Sequence, residues 1–203
     1  MGGVGERGVK MHNFKESLVA SHAAEELPFW RETYRKAFPT MVSMINHRQD
    51  GWHQRAGVDR SIVLANSKQV LIDEKVRGRN KKTGVVYRDI ALEYLSSKQQ
   101  QAPGWVCKPL LCDYIAYAIA PIGRCYLLPV IQLQLAWDRN KEKWLSEAKA
   151  GTNGRRVLAA ENEYEGRRWT TLSVPVTVAE LFKEIGACLR ITFSPCEVPS
   201  GHE

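Results

Sequence analysis

The chain has 203 residues, 44% of them hydrophobic, with a formal net charge of +7 and a pI of about 9.2. This length suffices for one domain with a sizeable core, and no apolar run approaches the roughly 20 residues of a membrane span. With no signal-peptide core at the amino terminus, these features indicate a soluble, intracellular protein. The positive charge suits a polyanionic partner, although many basic proteins bind none.

The five cysteines are scattered and odd in number, with no CxxC pair and no histidine at metal-ligand spacing. We therefore expect buried, reduced thiols and a reducing, cytoplasmic location. The cysteines are Cys107, Cys112, Cys125, Cys188 and Cys196.

Two helices are predicted near the amino terminus, after a flexible tail over residues 1–12. Residues 13–16 (Asn-Phe-Lys-Glu) form a capping box that predicts a helix through about Ala24. Pro28 fits the first turn of a second helix, which Pro39 ends. Its inward stripe is Trp30, Thr33, Tyr34 and Ala37.

A short strand over residues 40–46 follows, and a polar connection over residues 47–54 leads from it. Within the connection, Asp50 and Gly51 predict a turn. His53 and Gln54 are expected close to Asp59, as a polar pair that satisfies backbone groups.

The most informative stretch is a predicted β-hairpin. Two runs rich in Val, Ile and Leu, residues 57–64 and 69–76, flank the turn residues 65–68. The second run ends in Asp73, Glu74 and Lys75. Because burying charge costs several kcal/mol unless the groups are paired or bind a metal, this ending is unusual for a core strand.

Alternation along the strand places Asp73 and Lys75 on one face and Glu74 on the other. Asp59 opens the first strand directly after Gly57, so an antiparallel partner can bring its carboxylate beside that of Asp73. Two adjacent carboxylates repel unless a hard cation such as Mg²⁺ lies between them. The hairpin therefore predicts a cluster of Asp59, Asp73 and Lys75.

Basic residues near the hairpin are candidates for nucleic-acid contacts. The loop after the second strand is rich in Lys, Arg and Gly, and it either grips a phosphate backbone or is an ordinary solvated loop. A second basic cluster precedes Trp169. The candidates are Arg60, Arg77, Arg79, Lys81, Lys82, Arg167 and Arg168.

Residues 89–95 alternate weakly and are predicted to form a third strand of the same sheet, with Glu93 facing away from Ile90 and Leu92. Glu93 either approaches the metal or pairs with Arg88 or Lys75.

The remaining elements are predicted from apolar runs and periodicity. Residues 106–120 are apolar on nearly every side and predict a buried helix crossing the sheet, on which the spacing of Asp113 and Tyr117 allows a hydrogen bond. Further predicted elements are a central or parallel strand at 124–129, an amphipathic helix at 130–148, a helix at 177–187 and a strand at 189–193. A tail is expected over residues 195–203.

The segments 54–60 (Gln-Arg-Ala-Gly-Val-Asp-Arg) and 71–76 (Leu-Ile-Asp-Glu-Lys-Val) resemble the PD-(D/E)XK nuclease superfamily. Val58 replaces the signature Pro, and Asp73 stands where Glu is commoner. The resemblance implies an α/β, restriction-endonuclease-like αβββαβ core in a single domain over residues 13–194. That core is a mixed central sheet flanked by helices, here with an extra C-terminal helix and strand.

By the same resemblance, Asp59 and Asp73 bind Mg²⁺, which Mn²⁺ can replace, and Lys75 orients water or stabilises charge. An acid on the helix before the sheet is also implied, with Glu32 the first choice and Glu26 the reserve; Glu93 is a further candidate.

The resulting hypothesis is a Mg²⁺-dependent endonuclease acting on DNA, with RNA as a further possible substrate and a homodimer as a possible assembly. The chain also resembles phage and prophage proteins of this superfamily, which implies phage DNA processing. The alternatives are a nucleic-acid-binding protein that keeps the fold with little catalysis, and an interaction protein using an inert fold.

Overall fold

A computed structural model of the chain describes residues 12–13, 26–47, 49–80, 83–186 and 188–198. These residues form an α/β fold with two β-sheets. The predicted first helix lies outside the described residues except for Asn13, which belongs to a short strand. Lys81 and Lys82 also lie outside them.

The central sheet is mixed and six-stranded, and helices flank it. Its strands are β2 (Met41–Asn46), β3 (Arg60–Leu64), β4 (Gln69–Arg77), β7 (Tyr114–Ile119), β8 (Arg124–Pro129) and β11 (Leu189–Thr192). They lie in the order β11-β8-β7-β4-β3-β2. Strands β4 and β7 are parallel, whereas every other neighbouring pair is antiparallel.

The predicted hairpin is confirmed as β3 and β4, which pair antiparallel with Arg60 opposite Ile72. In its turn, the side chain of Asn66 accepts a hydrogen bond of 3.1 Å from the backbone N–H of Lys68. Ser67 adopts a positive φ of 63°. Local turn chemistry and a two-residue period were therefore sufficient to identify this element.

A second sheet consists of β1 (His12–Asn13), β5 (Asp89–Ser97), β6 (Ala102–Pro103), β9 (Leu158–Tyr164) and β10 (Arg167–Thr177). Its order is β1-β9-β10-β5-β6, and β5 pairs antiparallel with β10. The prediction that residues 89–95 add a strand to the hairpin's sheet is wrong, because β5 belongs to this second sheet. Strands β9 and β10 were not predicted.

The predicted buried helix over residues 106–120 is wrong, because most of this segment is a loop followed by strand β7. Residues 115–119 are all buried, and a strand covered on both faces has the same uninterrupted apolar composition as a buried helix. Asp113 and Tyr117 therefore do not pair with each other. The Asp113 carboxylate accepts from the Leu71 N–H at 2.8 Å, and the Tyr117 hydroxyl accepts from the Ala91 N–H at 3.1 Å.

The element order consequently differs from the αβββαβ order expected. The chain passes from β4 to β7 through β5 and β6 of the second sheet, and the described residues contain no helix in that crossover. Strand β8 is central, as predicted, but antiparallel to both of its neighbours.

Four α-helices are described: α1 (Phe29–Ala37), α2 (Gly51–Arg55), α3 (Val130–Ala150) and α4 (Val178–Ile185). A 3₁₀ helix, Ala120–Ile122, joins β7 to β8. Helices α1, α3 and α4 confirm predictions. The Thr177 side chain caps α4 by accepting from the Glu180 N–H at 3.3 Å. Helix α2 replaces the predicted turn at Asp50, whose side chain caps the helix.

Each face of the central sheet covers its own core. On one face, Trp30 and Tyr34 of α1 pack with Ile72 and Ala116. On the other face, Ile115 and Tyr117 pack against the second sheet and helices α3 and α4. No helix among the described residues combines the length and the apolar character that crossing a membrane requires.

All five cysteines are free thiols. Cys112 and Cys125 are buried as predicted. Cys107 is exposed and Cys188 and Cys196 are half-buried, which corrects the expectation for these three residues. Near the carboxyl end, the Cys196 N–H donates to the Ala120 carbonyl at 3.1 Å.

Candidate metal and phosphate site

Asp59 and Asp73 meet where strand β3 begins. The Asp59 N–H donates to the Ile72 carbonyl at 2.9 Å, directly before the first residue pair of the β3–β4 ladder, Arg60 opposite Ile72. Oδ2 of Asp59 accepts from the Glu74 N–H at 2.8 Å, which holds the Asp59 side chain beside β4. The two carboxyl groups are within hydrogen-bonding reach of each other.

Lys75 lies two residues further along β4, on the same face as Asp73. Its ammonium donates to Oδ1 of Asp73 in an ion pair. The Asp73 side chain is only 5% exposed and that of Lys75 is 32% exposed, so solvent screens this pair weakly. The predicted convergence of an aspartate pair and an amine is therefore present in the geometry.

Burial dominates the electrostatics of this cluster. It raises the pKa of Asp73 to about 7, and the neighbouring charge of Asp59 acts in the same direction against the opposing effect of Lys75. Burial alone would lower the pKa of Lys75, but the charges of Asp73 and Asp59 outweigh it and raise that pKa. A divalent cation between the two carboxylates would relieve both the repulsion and the desolvation.

Glu93 approaches the cluster from β5 of the second sheet. Burial raises its pKa, while the charge of Lys75 opposes that shift. Its carboxylate accepts a hydrogen bond from the backbone N–H of Trp105. This bond and the nearby positive charge of Lys108 also oppose the rise in the pKa of Glu93. Glu93 thus lies near enough to Lys75 for their charges to interact, although it comes from a different sheet than predicted.

The opposite face of β4 carries a buried ion pair. Arg60 donates to both carboxylate oxygens of Glu74, at 2.6 and 3.0 Å, and the Tyr34 hydroxyl donates to Oε1 at 2.6 Å. The Arg60 side chain is 6% exposed. This placement corrects the expectation that Arg60 contacts nucleic acid, because its guanidinium is committed to Glu74 inside the protein.

Glu32 does not join the cluster. Helix α1 packs on the Glu74 face of the sheet, as the contact between Tyr34 and Glu74 shows. Glu32 lies on the exposed side of α1, where it accepts from Lys36 at 2.6 Å. The expectation that Glu32 completes a metal shell is therefore corrected, because the sheet separates it from Asp73.

Most of the candidate phosphate-binding arginines pair with acids. Arg77 donates to Asp89 at 2.6 Å and lies over the Tyr87 ring, 4.1 Å from its centroid. Arg79 donates to Glu197 at 2.9 Å, and Arg168 donates to Glu163 at 3.0 Å. Arg167 is exposed at the start of β10.

The segment leading into Asp59 is held by backbone contacts. Gly57 has a φ of +70°, and a Cβ there would lie 2.5 Å from Cδ2 of Leu110, so the position favours glycine. Val58 is fully buried and donates its N–H to the His53 carbonyl at 2.9 Å. The signature Pro of the resembled family has no N–H, so Val58 adds a bond that Pro cannot make. The Gln54 amide donates to Oδ1 of Asp59 at 3.3 Å, as its expected proximity suggested.

Two neighbours of the cluster come from the loop before β7. The Cys112 thiol accepts from the Asp73 backbone, and burial raises the pKa of this thiol to about 12, so it remains protonated. The second neighbour is Lys108, whose positive charge favours the ionised form of Glu93. A loop has no periodicity, so no signal in the sequence could have placed Cys112 beside Asp73.

A second group of potential metal ligands lies in the connection between β2 and β3. Within the described part of the chain, one set of three His, Cys, Asp or Glu residues has ligand atoms that all lie within 4.8 Å of one another: His47, Asp50 and His53. Asp59, Asp73 and Glu93 do not form such a set. The sequence had suggested only a polar loop role for His53.

Comparison with known proteins adds no family. No protein-family model, no curated protein and no solved structure matches this chain.

Proposed function

We propose that this protein is a metal-dependent nuclease of the PD-(D/E)XK type, which hydrolyses phosphodiester bonds of DNA with Mg²⁺. The observation that carries the proposal is the convergence of Asp59, Asp73 and Lys75 on one face of the hairpin. The same three residues carry the resemblance in the sequence. The mixed sheet flanked by helices is compatible with a restriction-endonuclease-like core, despite the altered crossover.

The donor set of Asp59 and Asp73 suits Mg²⁺. Mg²⁺ is commonly held by one or two carboxylates, with water and substrate phosphate completing its octahedral shell. The raised pKa of Asp73 fits this assignment, because two carboxylates that repel in the free protein gain a counter-charge when a cation binds. When bound, the ion would polarise the phosphate and lower the pKa of a water nucleophile.

Lys75 is the residue that would interact with the negative charge of the substrate phosphate. Its raised pKa keeps it protonated at neutral pH, and its ion pair with Asp73 fixes the ammonium beside the carboxylates. A fixed cation stabilises the negative charge that develops on phosphate oxygens in the transition state. Asp59 and Asp73 are the residues that would hold the ion beside the ammonium of Lys75.

A DNA substrate fits the net charge of +7 and the arginines along the second sheet and the loop after β4. Since Arg77, Arg79 and Arg168 pair with acids, a phosphate must compete with those acids for them. Backbone contacts of this kind carry little sequence information. Free thiols agree with action inside a cell.

The test is a cleavage panel of plasmid, linear, single-stranded and branched DNA and of RNA, in Mg²⁺, Mn²⁺ or EDTA. We compare the parent with Asp73→Asn and Lys75→Gln. Their matched controls are Asp138→Asn and Lys149→Gln on α3, which alter the same residue types outside the cluster. We expect cleavage by the parent and both controls, and its loss in both cluster variants.

Folding is checked by circular dichroism and thermal melting of each variant. Cleavage by well-folded Asp73→Asn and Lys75→Gln at the parent's rate would overturn the site assignment. A parent that binds DNA but cleaves none of the panel would favour a nucleic-acid-binding protein that keeps the fold without catalysis.

A further inference from the structure

The connection between β2 and β3 gathers two imidazoles and a carboxylate. His47 directly follows β2, Asp50 caps α2, and His53 lies within α2. One ligand atom from each lies within 4.8 Å of the other two. We infer that His47, Asp50 and His53 form a binding site for a transition-metal dication of the Zn²⁺ class, separate from the Asp59–Asp73 pair.

Asp50 is already oriented for such a role. Its Oδ1 accepts from the backbone N–H groups of Trp52 and His53, at 3.0 and 3.2 Å. Its Oδ2 lies 2.7 Å from Nδ1 of His53. One oxygen therefore fixes the carboxylate to the helix, while the other faces the imidazole, where a metal can take the place of the shared proton.

Two contacts fix the orientation of the His47 ring. Its ring stacks on that of His53 with 3.7 Å between centroids and 10° between planes. Its Nε2 lies 2.6 Å from the Ser61 hydroxyl. Metal-binding histidines usually have such a partner on the ring nitrogen that does not bind the metal, which fixes the tautomer and the ring orientation.

The backbone around these residues is tied to strand β3. The His47 N–H donates to the Asp59 carbonyl at 2.9 Å, and the His53 carbonyl accepts from the Val58 N–H at 2.9 Å. The positions of the two histidines thus depend on the start of β3, which reduces the ordering that a bound metal must impose.

The ligand set selects the class of metal. Imidazole favours Zn²⁺, Co²⁺, Ni²⁺ and Cu²⁺, whereas Mg²⁺ and Ca²⁺ favour oxygen ligands such as those of Asp59 and Asp73. Three protein ligands leave a fourth tetrahedral position for water. The side chains of Asp50 and His53 are 45% and 23% exposed, so a cation can enter from solvent.

The experiment measures Zn²⁺ binding to the metal-free protein by calorimetry, in the presence of excess Mg²⁺, and Co²⁺ binding by visible absorption. We expect one Zn²⁺ per chain and cobalt d–d bands without a thiolate charge-transfer band. Asp50→Asn should weaken binding by at least about tenfold, the lower end of the loss seen for outer-shell partners. This change keeps the helix cap, because Asn and Asp cap equally well.

A double variant, His47→Gln with His53→Gln, should lose saturable binding. Asp138→Asn and Asp73→Asn serve as controls and should bind Zn²⁺ as the parent does. The second control separates this site from the proposed Mg²⁺ site, so the result does not depend on nuclease activity.

Three results would each overturn the inference: no saturable Zn²⁺ binding by the parent, unchanged affinity in Asp50→Asn and the double variant, or a thiolate charge-transfer band that assigns the metal to cysteine. If the double variant misfolds, Asp50→Asn alone decides the question.

Discussion

The backbone N–H of Glu74 donates a hydrogen bond of 2.8 Å to Oδ2 of Asp59. A main-chain group of β4 thus orients the carboxylate of Asp59, which directly precedes β3. The side chains of Asp73 and Glu74, the two neighbouring residues of β4, project from opposite faces of the sheet. The candidate metal site is consequently built into the β3–β4 ladder, and it depends on the same register as the buried pair of Arg60 and Glu74.

Replacing Asp59 with asparagine should lower the pKa of Asp73 below its value of about 7, because the charge of Asp59 contributes to raising it. The amide oxygen of the new side chain can still accept from the Glu74 N–H, so the backbone should be retained. Carboxyl-carbon NMR titration measures the shift. Asp138→Asn should leave the Asp73 titration unchanged, and an unchanged titration in Asp59→Asn would show that the two carboxyl groups do not interact.

Asp73 should make stability depend on pH in the absence of metal. Its folded-state pKa of about 7 exceeds the ordinary 3.8, so the folded protein holds a proton that the unfolded chain has lost. The Asp73 contribution to the unfolding free energy should therefore fall from about pH 4 to pH 7, by at most about 1.4 kcal/mol per pH unit, and level off above.

Urea denaturation of the parent and of Asp73→Asn across this pH range isolates that contribution, since the other groups with raised pKa values are present in both proteins. Adding Mg²⁺ to the parent should restore stability above pH 7, because a cation that binds the ionised pair stabilises the folded state. Equal pH profiles for the two proteins would contradict the assignment.

Arg60→Met should destabilise the fold by about 3–5 kcal/mol, because it leaves the buried carboxylate of Glu74 without its cation. Tyr34→Phe should cost less, about 1–3 kcal/mol, since Glu74 keeps Arg60. Urea denaturation measures both. The double variant Arg60→Met with Glu74→Leu should recover much of the loss, and a double variant as unstable as Arg60→Met would argue against an unpaired charge as the cause.

Arg167→Gln should reduce the salt dependence of DNA binding by about one unit of slope if this exposed residue contacts a phosphate. Arg168→Gln should have a smaller effect, because Arg168 pairs with Glu163. Fluorescence anisotropy in EDTA, over a range of NaCl concentrations, measures both slopes without cleavage. Equal slopes for the parent and Arg167→Gln would exclude Arg167 from the interface.

Much of the hairpin and its charged end could be predicted because the determining signals are local. Turn residues 65–68 set the pairing of the two runs, and the two-residue period placed Asp73 with Lys75 and apart from Glu74. The helices α1, α3 and α4 followed from caps and apolar periodicity in the same way.

The errors occurred where local signals fit more than one structure. Residues 115–119 are apolar because both faces of β7 are covered, and their composition also fits a buried helix. Glu32 and Arg60 were assigned by sequence position, but the side of the sheet that each occupies depends on how α1 and Glu74 pack.

The sequence by itself determined the hairpin, the face that carries Asp73 and Lys75, and the capped helices, since each depends on neighbours within a few residues. Only the tertiary structure decided that β7 lies parallel to β4, that β5 belongs to a second sheet, and that His47, Asp50 and His53 meet. Strand partners and side-chain clusters join residues distant in the chain, and their free energy comes from packing that no local pattern records.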